Sequence, residues 1–168
     1  MALMKAYLLA GSNMGERAEN LNRAKEMLAA AGTVLRASSV YETAAWGMEN
    51  QPPFLNQALL LETRLSPEKL LSELKQIERA IGRKQAQKWG PRLIDIDILL
   101  IDDKLSASAQ LTVPHPQLHK RRFALVPLAE IAPQVLHPEL KLTVQEMLDA
   151  CADELAVKKT NQFVKTVS

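Results

Sequence analysis

A chain of 168 residues, 47% hydrophobic and 24% charged, is sized and composed for one globular domain, residues 1–168, with a sizeable core. Its net charge of +2 is too balanced to argue for a nucleic-acid or membrane partner, and no stretch is long and apolar enough to span a bilayer. The single cysteine, Cys151, excludes an internal disulfide and reads as a buried apolar thiol in a reducing compartment, which with the absence of a secretory signal gives a cytoplasmic expectation.

In chain order, Leu3 to Ala10 reads as a first strand buried on both faces. Gly11-Ser12-Asn13-Met14-Gly15 breaks it. The segment has neither the Gly-Lys-Ser/Thr ending of a P-loop nor the spacing of a dinucleotide fingerprint, so a strand-to-helix turn is the expectation. Leu21, Ala24, Leu28 and Ala31 recur at helical spacing, and Gly32 supplies the stop. Thr33 to Thr43 reads as a second strand, Ala44 to Pro53 as a loop, and Phe54 to Thr63 as a third strand with Phe54 and Asn56 on one face. By themselves these two read as a core ring and a satisfied amide.

Ser66-Pro67-Glu68 opens a helix: a cap, a proline at the first helical position and an acid in the first turn. Its apolar stripe is Leu70, Leu74, Ile77 and Ile81, ended by Gly82. Lys75 and Glu78 fall off the stripe and read as solvated surface. The polar, basic stretch from Gly82 to Gln87 is a candidate lid.

Lys88-Trp89-Gly90-Pro91-Arg92 then turns into Leu93-Ile94-Asp95-Ile96-Asp97-Ile98-Leu99-Leu100. Apolar residues on both faces read as a central strand covered on both sides. Alternation puts Ile94, Ile96, Ile98 and Leu100 on one face and Leu93, Asp95, Asp97, Leu99 and Ile101 on the other. Two readings of the acids stand: a strand end in water paired with Arg92 or Lys88, or a pair of hard ligands for Mg²⁺ beside basic residues suited to phosphate.

The strand and helix order is βαββαβ, that of a ferredoxin-like α+β sheet. Beyond it, the prolines around Leu111-Thr112-Val113-Pro114-His115-Pro116 predict an edge or loop. His115 and His119 lack the partners of a zinc site. Arg121 beside Phe123 could meet an anion and a ring. Ala124 to Ile131 and Leu142 to Leu155 read as helices covering the second face, the latter opened by a capping box of Thr143 and Glu146. The polar stretch Val157 to Ser168 reads as a mobile tail. With no coiled-coil or dimer stripe, a monomer is expected.

The run Lys88 to Leu99 resembles the signature of the 6-hydroxymethyl-7,8-dihydropterin pyrophosphokinase family. Gly11-Ser12-Asn13, Tyr41-Glu42-Thr43, Gln51 to Asn56, Gly82-Arg83, Leu111 to His115, and Arg121 with Phe123 stand in the family's order and spacing. The resemblance covers roughly Lys5 to Pro133. It implies a ferredoxin-like core extended to a three-layer αβα sandwich. It also implies transfer of the β,γ-pyrophosphoryl group of ATP to the hydroxymethyl oxygen of the dihydropterin, with AMP leaving, in folate biosynthesis.

Site residues follow from that resemblance position by position. Asp95 and Asp97 resemble ligands of two Mg²⁺ ions, and Arg83 and Arg92 the catalytic arginines. Phe54 and Phe123 resemble the rings that sandwich the pterin. Asn56 and the backbone from Thr43 and Ala44 to Trp46 resemble the groups that read its edge, with Asp95 beside it. Lys75, Glu78, Lys88, Trp89, Ile98, Thr112, His115 and Arg121 resemble ATP contacts, Ile98 through its backbone. Trp89 resembles the aromatic that closes over the site. Some positions depart from the family pattern. Gln85 stands where a second arginine is common, and Ala44-Ala45 where a Pro-Pro pair is common. Two rival classes stand beside this family: a ferredoxin-like RNA-binding module, which needs exposed aromatics where the aspartates stand, and a non-catalytic interaction protein that kept the fold, hinted at by Gln85 alone and opposed by the intact aspartates and arginines.

Overall fold

The computed structural model describes residues 2–44, 52–82, 93–108 and 110–160. The elements run β1 (Met4–Ser12), α1 (Arg17–Met27), β2 (Thr33–Ala37), β3 (Tyr41–Thr43), β4 (Phe54–Thr63), α2 (Pro67–Ile81), β5 (Asp95–Ile101), β6 (Ser106–Ala107), β7 (Thr112–Val113), α3 (Arg122–Ile131), α4 (Val144–Ala150) and β8 (Val157–Lys159). The main sheet has the order β5-β1-β4-β3-β8, with β2 also paired to β4. Its pairings are antiparallel. Counting β2 and β3 as one interrupted strand, this is the ferredoxin-like arrangement, an α+β fold.

Two cores lie on the two faces. Ala6, Leu8, Leu55, Leu59 and Leu61 of the sheet pack with Leu21, Ala24 and Leu28 of α1 and Leu70, Leu74, Ile77 and Ile81 of α2. Tyr7, Leu9, Ala58 and Leu60 pack on the other face with Ala124, Leu125 and Leu128 of α3 and Val144 and Met147 of α4. The result is the expected three-layer αβα sandwich. Among the described residues no helix is long and apolar enough to cross a membrane.

Several expectations need correction. The strand expected to be central, β5, is an edge strand, paired among the described residues with β1 alone. It is apolar on both faces because helices cover both, not because strands flank it. Its strict alternation also fails. A bulge shifts the register from Leu8–Ile98 to Tyr7–Leu100, leaving Leu99 between. Leu99 and Leu100 therefore both enter the α3–α4 core while Ile101 turns to the α1–α2 core. Asp95 and Asp97 precede the bulge and keep their shared face.

The expected strand from Thr33 to Thr43 is broken at Ser38–Val40. Ser38 is buried there, and its N–H donates to the Ala58 carbonyl while its hydroxyl accepts from the Ala58 N–H. A side-chain oxygen thus takes the ladder position of a carbonyl. Gly32 does not stop its helix by a left-handed turn. A Cβ there would collide with the Glu62 carbonyl oxygen, so it allows the chain to pass close to β4. Gly82 does take the left-handed conformation, with φ 119°. α4 ends at Ala150 rather than Leu155, although its capping box forms as read. Cys151 is half-buried, against the α3–α4 core, rather than buried. The expected mobile tail is in part a strand: β8 extends the sheet beyond β3, while 161–168 lie outside the described residues.

Candidate active site

The open end of the α3–α4 face of the sheet gathers the candidate residues. Asp95 pairs across to Gly11 of β1, and Gly11 pairs across to Asn56 of β4. Asn56 pairs with Tyr41 of β3, and Phe54 with Thr43. Directly opposed residues share a face, so Asp95, Gly11, Asn56 and Tyr41 form one transverse row. Adjacent strands are spaced about 4.8 Å apart, which sets Asp95 and Asn56 about 10 Å apart across the glycine. Asp97 lies two residues further along β5, opposite Leu9.

Gly11 makes the middle of this row possible. A Cβ at that position would lie 2.5 Å from Asn56 Oδ1 and 3.5 Å from Phe54 Cδ1. The amide and the ring thus fold over bare backbone. Asn56 is 4% exposed, whereas Phe54 is half-buried. Gly11 as the floor under both side chains was not found by sequence reasoning. Its signal was a glycine within an otherwise apolar strand.

The turn after β1 holds the entrance to β4. Asn13 Nδ2 donates to the Pro52 carbonyl at 3.2 Å and Arg17 Nη1 to the Pro53 carbonyl at 2.8 Å. Arg17 also pairs with Glu42 at 3.0 Å. Asn20 ties the turn to itself through Ser12 Oγ and the Met14 carbonyl. This segment is a structural clamp, consistent with the turn reading. Beside it, Thr43 is buried and its Oγ1 has no hydrogen-bond partner among the described residues, while Ala44 is exposed.

α3 supplies the opposite wall. Arg121 and Phe123 stand at its N-terminal end, the guanidinium carbon 5.6 Å from the ring centroid, close enough for a cation–π contact. His115 joins this group electrostatically. Burial holds it below the ordinary histidine range, Asp97 opposes that shift, and Arg121 adds to it. Its Nδ1 accepts from the Gln117 N–H at 3.1 Å, so the neutral ring carries its proton on Nε2. Its own N–H donates to the Leu99 carbonyl at 2.9 Å, which covers part of the free edge of β5.

Glu78 covers another part of that edge. Its Oε2 accepts from the Ile96 N–H at 2.8 Å, and it is 2% exposed. The surface reading of Glu78 is therefore overturned. It lies on the flank of the α2 stripe, and only the docking of the β5 edge against that flank buries it. Lys75 fits its surface reading, at 48% side-chain exposure with Nζ 3.7 Å from Glu78 Oε1. Ile98 points its side chain into the α1–α2 core. Its backbone faces the outer edge like that of Ile96, two residues before. Thr112 is exposed on β7. Trp46, Arg83, Lys88, Trp89, Arg92 and the candidate lid beyond Gly82 lie outside the described residues.

Among the described residues no three His, Cys, Asp or Glu cluster as a metal site. Asp95 and Asp97 form a pair only. Such a pair fits Mg²⁺, which keeps water and takes substrate phosphate oxygens for its remaining positions.

Residues 7–133 match the family model of 7,8-dihydro-6-hydroxymethylpterin-pyrophosphokinase (HPPK). The chain belongs to this family. It is an enzyme, an ATP-dependent diphosphotransferase. This HPPK family member is 46% identical over 140 residues to the 2-amino-4-hydroxy-6-hydroxymethyldihydropteridine pyrophosphokinase of Aquifex aeolicus, covering 83% of this chain and 88% of the relative. It is also 46% identical over 132 residues to the enzyme of the same name from Bacillus subtilis, covering 77% and 79%. A crystal structure of a Plasmodium falciparum HPPK-DHPS variant with SDX-DHP superposes with a TM-score of 0.73 at 17% identity, over 89% of this chain and 45% of that one. At that identity it speaks for the fold alone, and this chain spans less than half of its length.

Proposed function

We propose that this family member transfers the β,γ-pyrophosphoryl group of MgATP to 6-hydroxymethyl-7,8-dihydropterin in the cytoplasmic folate pathway, acting as a single-domain monomer. The hydroxymethyl oxygen forms a bond to the β-phosphorus, the bond from that phosphorus to the bridging oxygen of AMP breaks, and the hydroxyl proton passes to solvent. The observation that carries this reading is the row Asp95–Gly11–Asn56, which sets a carboxylate at one end of a flat recess and an amide at the other.

A pterin has a flat ring and a hydrogen-bonding edge. Phe54 and Phe123 supply two ring faces, and stacking suits both. Asn56 supplies a donor and an acceptor, and the buried, unpartnered Thr43 hydroxyl supplies a further group with the exposed backbone at Ala44. Such a ring would direct its substituent toward Asp95 and Asp97. The nucleotide lies along the outer edge of β5, where the Ile98 backbone, Thr112, His115, Lys75 and Glu78 meet. Arg121 and the Nε2 proton of His115 face phosphate oxygens.

Asp95 and Asp97 hold two Mg²⁺ ions, which when bound supply charge neutralisation and a template for phosphate and acceptor. Arg83 and Arg92 bind transferring oxygens as charge builds. Lys88 and Trp89 contact ATP, and Trp89 with the stretch from Gly82 to Gln87 limits water as a competing acceptor.

The test is AMP formation from ATP and Mg²⁺ with and without the dihydropterin. AMP that appears only with the pterin is the expected result. ADP, or AMP independent of the pterin, overturns the reading.

A further inference from the structure

Helix α3 begins at a residue that cannot cap it. The N-cap position is Arg121, whose side chain makes no capping hydrogen bond. Arginine has no acceptor, whereas the open N–H groups of a helix's first turn need one. Asp153, 31 residues beyond Arg122, supplies it: its Oδ2 accepts from the Arg122 N–H at 3.1 Å. The other carboxylate oxygen accepts from the Leu155 N–H at 3.0 Å, which fixes the rotamer. The far end of α3 is tied separately, through Glu130 to Ser39 and Tyr41 and through the Ile131 carbonyl to Arg36. Asp153 thus provides a second, independent anchor, at the end that carries Arg121 and Phe123.

From Asp153 the chain runs directly into β8, which pairs with β3 in the register Tyr41–Lys159, Glu42–Lys158 and Thr43–Val157. The Thr160 N–H closes the pairing onto the Val40 carbonyl at 2.9 Å. The same eight-residue stretch, 153–160, therefore touches both walls of the recess. It lies beyond the family-matched residues 7–133.

We propose that residues 153–160 form a strap that sets the gap between the two walls of the pterin recess, with Asp153 a positioning residue for Arg121 and Phe123. This inference rests on the site reading above. It explains how an arginine can occupy the cap of α3: the capping acceptor comes from elsewhere, leaving residue 121 available for a guanidinium.

The test uses the full chain and two variants. Asp153→Ala removes the borrowed cap. Lys158→Pro removes a ladder donor on the other limb, since alternation from Thr160–Val40 makes Glu42–Lys158 a hydrogen-bonded pair. Asp153→Ala is expected to raise KM for both pterin and ATP by about three- to tenfold, the scale of a lost cap. Lys158→Pro is expected to raise KM for the pterin and leave that for ATP within about twofold. Asp153→Asn keeps one acceptor oxygen and should recover part of the loss. Hydrogen exchange, which needs no turnover, should quicken at amides 122–125 and 41–43 together in Asp153→Ala. Unchanged pterin KM in both variants, or faster exchange confined to one wall, overturns the strap. If the wild-type chain forms no pterin-dependent AMP, the catalytic reading falls by itself and the exchange result decides the strap.

Discussion

Replacing Gly11 by alanine tests the geometry of the recess without touching a reactive group. The added Cβ would lie 2.5 Å from Asn56 Oδ1, and the next two nearest atoms, at 3.5 and 3.7 Å, are also side-chain atoms of Phe54 and Asn56. The carboxamide must retreat by about 0.7–1 Å to restore ordinary contact. A hydrogen bond lengthened by that amount is lost. If Asn56 reads the pterin edge, one or two buried bonds fail, at about 1–3 kcal/mol. That is a rise of roughly five- to 150-fold in the pterin KM. The fold should not suffer, because no backbone atom obstructs the methyl group, and alanine in a strand interior is favoured over glycine by about 0.5–1 kcal/mol. The assay is pterin-dependent AMP formation across pterin concentrations, with a thermal melt of the same preparation. A pterin KM within twofold of wild type, or a collapse of the melting temperature, would refute the reasoning.

Three further outcomes are expected. Asp97→Ala should abolish nearly all AMP formation while leaving the melting temperature close to wild type, and near-normal turnover would sink the Mg²⁺ assignment. Glu78→Ala strands the Ile96 N–H at the β5 edge and should cost about 1–3 kcal/mol in denaturant unfolding, whereas Glu78→Gln retains an acceptor and should cost less. Equal losses in the two would count against that bond. His137 is buried, and its Nδ1 accepts from the Glu139 and Leu140 N–H groups, with burial lowering its pKa from 6.5. Below 6.5 the unfolded state therefore takes up a proton that the folded state resists, so stability falls as pH drops. His137→Asn should flatten that slope, and an unchanged slope in unfolding titrations would exclude His137 as its source.

Much was readable from local chemistry. The cap at Ser66, the left-handed Gly82, the box of Thr143 and Glu146, and the apolar stripe of α2 are decided within one or two turns of chain. The βαββαβ order follows from such signals, and so does the shared face of Phe54 and Asn56 and of Asp95 and Asp97, because side chains alternate in any strand. These local rules, with the ordered family motifs, determined the fold class and nominated the site.

Other features depend on what lies across the sheet. β5 reads as a central strand because helices cover both its faces, and nothing within it reveals that one edge has no strand partner. Glu78 is polar and lies beside an apolar stripe, so only the unpaired Ile96 N–H of a distant strand makes it a buried acceptor. Gly11 reads as part of a turn until β4 places Asn56 and Phe54 over it. Ser38 breaks a strand by substituting for a carbonyl opposite Ala58. Asp153 becomes a cap only when the chain returns to α3. Periodicity and propensity describe how a residue relates to its sequence neighbours. Sheet order, bulges and borrowed caps are set by hydrogen-bonding groups that must find partners far along the chain, and those pairings arise only in the folded molecule.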